Sequence, residues 1–340
     1  MYAAALKRIS SDPPEIPPSH LPDPLGASIP LPHHHVLFPF GFPVQIKTNE
    51  LAIIRAAEQS WAAFAQRFRE TPLQLRVVVS DSSTTRRPAT PVVRAQANLM
   101  TIVADSQNFA CCDLASGFCF AHLSKAALLH RDYLRYHFLE GSIYPLMDIQ
   151  HVVAVHAACV VKDGHGVLFV GDSGAGKSSL AYACARRGWT YVADDAACLV
   201  RRRPGRQVLG NPHSFRFRPT VSTLFPELRG RVKLRNGKPT VEVRTEALSH
   251  LITAQECTVD YLVFLDRRAQ PDGSPLVSSV SEEECLRGLY SSPWPPELSI
   301  HQERFSAVER LLKAERFRMS YLEFDPAIDL LERTILQGNA

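Results

Sequence analysis

Residues Val167 to Ala197 read VLFVGDSGAGKSSLAYACARRGWTYVADDAA, and few folds accept such a run. Four apolar residues, Val167 to Val170, have the texture of a buried strand. Gly171, Asp172, Ser173, Gly174, Ala175, Gly176, Lys177 and Ser178 then match G-x-x-x-x-G-K-[ST], with Ser179 following. The stretch after Lys177 has helical spacing and stops at Gly188. Strand, glycine loop and helix in that order turn successive backbone N–H groups around a phosphate, and the helix N-terminus adds partial positive charge. Gly174 and Gly176 let the loop wrap without a Cβ clash. Lys177 is placed to reach β- and γ-phosphates as a point charge, and Ser178 to offer its hydroxyl to a magnesium ion. The expected ligand is a nucleoside triphosphate, with ATP and Mg²⁺ as cofactors.

A phosphate loop serves ATPases, GTPases and kinases alike, so the next element decides more. Thr190 to Ala193 read as a short strand that delivers Asp194 and Asp195 at its carboxyl end, where open α/β sheets bind ligands. Asp194 stands 17 positions after Lys177, the length of one crossover helix and a strand. Right-handed βαβ packing then puts both strands in one sheet. Two carboxylates there divide the work of phosphoryl transfer, one holding hydrated metal and the other taking a proton from the attacking hydroxyl. No N/T-K-x-D guanine reader is present.

The bulk numbers exclude several classes. With 340 residues, 45% hydrophobic and 21% charged, two ordinary globular domains are expected. A net charge of +4 is too mild to argue for nucleic acid, which calls for a concentrated basic face. No apolar run has the length of a membrane span, and the N-terminus lacks a signal-peptide pattern. The eight cysteines contain no C-x-x-C pair and read as small buried hydrophobes in a reducing compartment, so the cytoplasm is the expected location.

Ten of the 25 prolines fall between Pro13 and Pro43, so residues 1–43 are expected to form a flexible, Pro-rich arm. Its His33-His34-His35 run lacks convergent ligand geometry. Residues 44–150 read as a small α+β domain of unknown role. It comprises an amphipathic helix over ELAIIRAAEQSWAAFAQRF, a strand at LQLRVVVS, and three short strands at LMTIVAD, FACCDL and FCFAHL. A helix should then run from Ser124 and end at Gly141. Residues 151–340 hold the phosphate loop, an Asp163-Gly164 hairpin turn, later strands at RQVLGN, SFRFRP, GRVKLR, PTVEVR and VDYLVFLDR, and helices at EEECLRGLY, HQERFSAVERLLKAERF and PAIDLLERTI.

Residues 155 to 200 resemble the nucleotide-binding core of the HPr kinase/phosphorylase family: a His-containing strand, a DG-type hairpin, G-D-S-G-x-G-K-S, a helix ending in R-G, and V-A-D-D. The resemblance implies an α/β fold, a P-loop kinase-like domain of HPr kinase type with a mixed sheet and flanking helices, preceded here by the small α+β domain. It implies a phosphotransferase acting on a serine hydroxyl, and a homo-oligomer. It places Lys177 and Ser178 at phosphate and magnesium, Asp194 as acid/base with Asp195 beside it, and His156 near the transferred phosphate. His156 reads equally as a core histidine on a buried strand. Ser179 stands where the family has glutamate. The family's E-I-R-G-x-G signature survives only as FPELRG, with Glu227 and Arg229 at matching places. Glu227 is therefore either a third metal ligand, with Ser178 and Asp195, or a surface charge.

Arg201, Arg202, Arg203 and Arg206, and the alternating Phe215-Arg216-Phe217-Arg218, are the densest basic stretches. They either grip phosphate or form a solvated face, and Arg218 is the first to test. The leading expectation is a kinase for a hydroxyl-bearing protein, peptide or small molecule. A nucleotide-gated regulatory module without transfer, and a phosphorylase using inorganic phosphate, are the alternatives.

Overall fold

Leu73, Leu75, Val77 and Val79 alternate along one strand and are all buried, so period-two patterning builds the first sheet. The computed structural model describes residues 29–228, 232–235, 238–267, 274–290, 294, 298 and 300–337. Strands β1 (His33–Leu37), β2 (Val44–Thr48), β3 (Leu73–Ser80), β4 (Val92–Gln96), β5 (Leu99–Val103), β6 (Phe109–Asp113) and β7 (Phe118–Ser124) form a seven-stranded sheet in the order β1-β2-β3-β7-β6-β5-β4. Pairs β2–β3 and β3–β7 are parallel. Helix α1 (Leu51–Trp61) connects β2 to β3 and buries Ile53, Ile54, Ala57 and Trp61.

Two sequence expectations change here. The expected arm over 1–43 is ordered from its last third onward: His33–Leu37 pairs antiparallel with β2, and Phe40 and Phe42 are in the core. The burial of Leu37, Phe40 and Phe42 outweighs the prolines around them. The rest of that arm, residues 1–28, lies outside the described residues. The helix expected to end at Gly141 instead breaks early and restarts. One-turn helices α2 (Lys125–Leu128) and α3 (Arg131–Tyr133) and a π-turn at Leu134–Leu139 lead into α4 (Glu140–Gln150). Gly141 sits inside α4, where an added Cβ would be 3.2 Å from Tyr136 O. Close packing, not chain reversal, explains that glycine.

A mixed nine-stranded sheet follows. Its strands are β8 (Val152–Val155), β9 (Ala157–Lys162), β10 (His165–Val170), β11 (Thr190–Ala193), β12 (Ala197–Val200), β13 (Gln207–Leu209), β17 (Glu256–Asp266), β18 (Leu276–Ser279) and β19 (Glu315–Ser320). The order is β11-β9-β10-β17-β13-β12-β8, with β19 also on β17 and β18 on β19. Strands β10 and β17 are parallel, as are β17 and β19. The β9–β10 turn has φ of 49° at Asp163 and 87° at Gly164, the doubly left-handed geometry that Asp-Gly favours. Helix α5 (Lys177–Arg186) carries the chain from β10 to β11. The two strands share the sheet as expected, with β9 inserted between them.

A small antiparallel sheet of β14 (Ser214–Phe217), β15 (Val232–Arg235) and β16 (Lys238–Arg244) packs beside the phosphate loop. The short helix α6 (Val221–Leu224) lies within it, between β14 and β15. Helices α7 (Glu282–Leu289), α8 (His301–Glu309) and α9 (Phe324–Gln337) complete the chain. The helix expected over His301–Phe317 stops early, and its tail ERF becomes the start of β19, where Phe317 and Met319 are buried. Period-two burial on the central sheet overrides helix propensity there.

Candidate functional site

Strand β10 delivers the chain into the loop Gly171–Gly176, and α5 begins at Lys177. Gly171, Gly174 and Gly176 all have positive φ, at 156°, 101° and 96°. At Gly176 any side chain would clash as well as strain the backbone, since a Cβ there would lie 2.4 Å from Tyr321 Oη. That hydroxyl donates to Ala175 O at 3.2 Å and so props the loop from behind. Lys177 is buried, and its Nζ donates to Gly171 O at 2.6 Å and Asp172 O at 3.2 Å. The ammonium thus lies along the inside of the loop. Burial pulls its pKa down, against the opposing pull of Asp195 and Asp172.

One hydrogen bond joins loop and strand tip: Ser178 Oγ donates to Asp194 O at 3.2 Å. The two aspartates part from each other there. Asp194 is buried, and its Oδ2 accepts from the Arg216 backbone N at 2.5 Å. Asp195 is 43% exposed and its Oδ1 lies 3.4 Å from His156 Nδ1, which is also 3.0 Å from Asp195 O. His156 falls in the break between β8 and β9 and is 57% exposed. Its reading as a buried core histidine is therefore wrong.

The arginines divide as well. Arg218 Nη2 donates to Ser173 Oγ at 3.0 Å, and a Cβ on Gly174 would be 3.4 Å from the guanidinium, so Arg218 overhangs the loop. Arg216 turns toward α4, with Nη2 3.1 Å from Glu140 Oε2 and 3.7 Å from Glu242 Oε1. Burial opposes its charge, and Glu140, Tyr144 and Glu242 raise its pKa above the ordinary arginine value. Arg135 and Ser60 extend the cluster, with Ser60 Oγ donating to Glu140 at 2.9 Å. Sequence reasoning missed this network. Arg218 was legible only as one of an alternating pair.

Glu227 is engaged from α5. Its Oε1 accepts from Tyr182 Oη at 3.2 Å and is 3.3 Å from Arg186 Nε, both on α5. Arg229 lies outside the described residues. Among the described residues no three His, Cys, Asp or Glu side chains form a metal cage. Magnesium does not need one, because it keeps water and binds through one or two carboxylates plus phosphate oxygens. Ser178 and Asp195 at the mouth of the loop fit that donor set.

Residues 148–218 match the family profile of the HPr Serine kinase C-terminal domain. A 49-residue stretch is 47% identical to "Putative HPr kinase/phosphorylase 2" of Oceanobacillus iheyensis. Residues 148–218 form a divergent HPr-kinase-like segment. The aligned stretch is 14% of this chain and spans only 16% of the length of that relative. The HPr(Ser) kinase/phosphatase of Coxiella burnetii is 15% identical over 55% of this chain and 89% of its own, at a TM-score of 0.29, too low to add weight. Among the described residues no helix is long and apolar enough to cross a membrane.

Proposed function

We propose that this protein is an ATP- and magnesium-dependent kinase that transfers the γ-phosphoryl group to a hydroxyl. The observation that carries the reading is the junction of phosphate loop and carboxylate strand tip, where Ser178 Oγ meets Asp194 O at 3.2 Å. Ser178 and Asp195 would hold the magnesium ion, which would supply charge neutralisation for the phosphates. The loop amides and Lys177 bind the triphosphate, Lys177 exchanging its contacts with Gly171 O and Asp172 O for phosphate oxygens. Arg218, already over the loop at Ser173, takes negative charge developing on the transferring group. Asp194, fixed by the Arg216 N–H, accepts the proton of the attacking hydroxyl. His156 holds Asp195 in place at 3.4 Å.

The test is γ-labelled ATP with candidate hydroxyl acceptors, together with ATP affinity by calorimetry. Lys177→Ala should weaken ATP binding by about 100-fold, in keeping with loss of a charge-assisted contact. Asp194→Asn should keep ATP affinity within a few-fold and lose transfer by about 10³-fold, as removal of a general base does. Transfer that survives Asp194→Asn would refute the assignment. An ATP response in a partner that survives the same change without any transfer would favour the regulatory module instead.

A further inference from the structure

A cavity of about 100 Å³ opens beside Asp194 and Asp195, between the carboxylate strand tip and α4. Its far wall comes from the N-terminal half, through Phe40, Tyr144 and Met147. No chemistry in the phosphate loop requires these residues. We propose that this cavity is the acceptor site, and that it takes an uncharged hydroxyl compound on a short apolar stem. The proposal rests on the kinase reading above and names the substrate class of the same site.

Four observations converge on it. Ala154 sits on β8, the strand at the end of the sheet beyond β12; its side chain is exposed while those of Val153 and Val155 beside it are buried, and it lines the cavity. Arg216 also lines the cavity, and its Nε is buried without a hydrogen-bond partner. A buried N–H of that kind calls for an acceptor atom, which a ligand oxygen supplies. Phe40 holds φ of 50°, a left-handed backbone that a bulky residue adopts only under constraint. The turn keeps its ring against Tyr144, with centroids 5.7 Å apart. Finally, the two carboxylates at one end disfavour an anionic ligand.

Size sets the remaining limit. Each water-sized site needs about 10–15 Å³, so a cavity of about 100 Å³ holds roughly seven to ten heavy atoms. A serine on the rigid surface of a folded protein cannot carry its neighbours past Phe40 and Tyr144. A free small alcohol, or a hydroxyl side chain on an unfolded peptide, can enter. In the step itself the γ-phosphorus–oxygen bond to ADP breaks and a phosphorus–oxygen bond to the acceptor forms. The hydroxyl proton passes to Asp194, and ADP leaves with the bridging oxygen.

The experiment incubates the full chain with magnesium and γ-labelled ATP in three arms: N-acetylserinamide with C3–C5 diols, unstructured serine-containing decapeptides, and folded ubiquitin. Label in the first or second arm is expected, and the arm that labels identifies the source. Ala154→Leu, which fills the cavity, should cut that transfer by about 100-fold, the cost of a misplaced reacting group, with ATP affinity within twofold. Met147→Phe is the second variant if Ala154→Leu fails to bind ATP. Label on ubiquitin alone, or transfer unchanged in both variants, overturns the cavity assignment and leaves the kinase reading standing. No label in any arm, with ATP bound and Asp194→Asn indistinguishable from wild type in ATP turnover, overturns both.

Discussion

Gly176 has the least freedom in the site, since its φ is 96° and Tyr321 Oη occupies the place of a side chain. Gly176→Ala should destabilise the protein by about 1–3 kcal/mol, combining backbone strain with overpacking. Adding Tyr321→Phe should recover the overpacking part and leave the φ part, as urea unfolding would show. Arg218 is a different kind of residue, exposed and tied to Ser173 Oγ. Arg218→Ala should therefore leave stability and ATP affinity nearly unchanged and lower kcat by about 10²–10³-fold, as loss of a charge clamp does. His151 shows the acid side of the molecule. Its ring stacks on Phe42 with centroids 4.6 Å apart; burial, helped by Arg201 and Arg202, lowers its pKa from 6.5 to about 4. The folded state then takes up this proton at lower pH than the unfolded chain does. Stability from this residue is full above pH 6.5 and is lost as pH falls toward 4, by about 3 kcal/mol. His151→Gln should flatten that part of the pH–stability curve; an unchanged slope would contradict it.

At the level of elements, the local signals were readable and the distant ones were not. The Asp163-Gly164 turn, β10, α5 and β11 follow from runs of neighbouring residues, because glycine placement and apolar spacing act within a few positions. The position of Asp194 relative to Ser178 followed from the length of one crossover. The insertion of β9 between β10 and β11 follows from the hairpin that precedes the loop. The support behind Asp194 is another matter. Arg216 reaches Glu140 across 76 positions, and nothing near either residue announces the pairing. The FPELRG echo of the family signature suggested Glu227 as a metal ligand, and in the structure its carboxylate is engaged by Tyr182 and Arg186 on α5. Glu140→Gln should show what the support does. Breaking a buried charge pair should cost about 3–5 kcal/mol of stability. It should also lower kcat while the KM for ATP stays put, because Arg216 would no longer hold its strand against Asp194. A fall in stability alone, with kcat intact, would reduce the network to a packing role.

Across the whole molecule, the expected boundary near residue 150 is bridged rather than open. One hydrophobic cluster runs from Leu37 to Ile149 and continues through Val152, Cys198, Val200 and Leu209. Arg304 Nη1 lies 2.8 Å from Asp148 Oδ2, Arg244 donates to Gln59 O at 2.5 Å, and Arg67 pairs with Glu256. Joined cores and buried ion pairs favour a single cooperative transition. Urea unfolding followed by tryptophan fluorescence and circular dichroism should give coincident curves, whereas two separated transitions would show independent halves. The same closeness puts Phe40 and Tyr144 within reach of the Asp194 side of the P-loop sheet, which is how the N-terminal half takes part in the site. The most direct measurement is a structure of the protein with magnesium and a non-hydrolysable ATP analogue. The expected result is a terminal phosphate held by Lys177 and Ser178, with an oxygen of Asp194 close enough to take a proton from a hydroxyl about 3–3.5 Å from the phosphorus. A terminal phosphate directed away from Asp194 and Asp195 would contradict phosphoryl transfer and leave nucleotide binding alone.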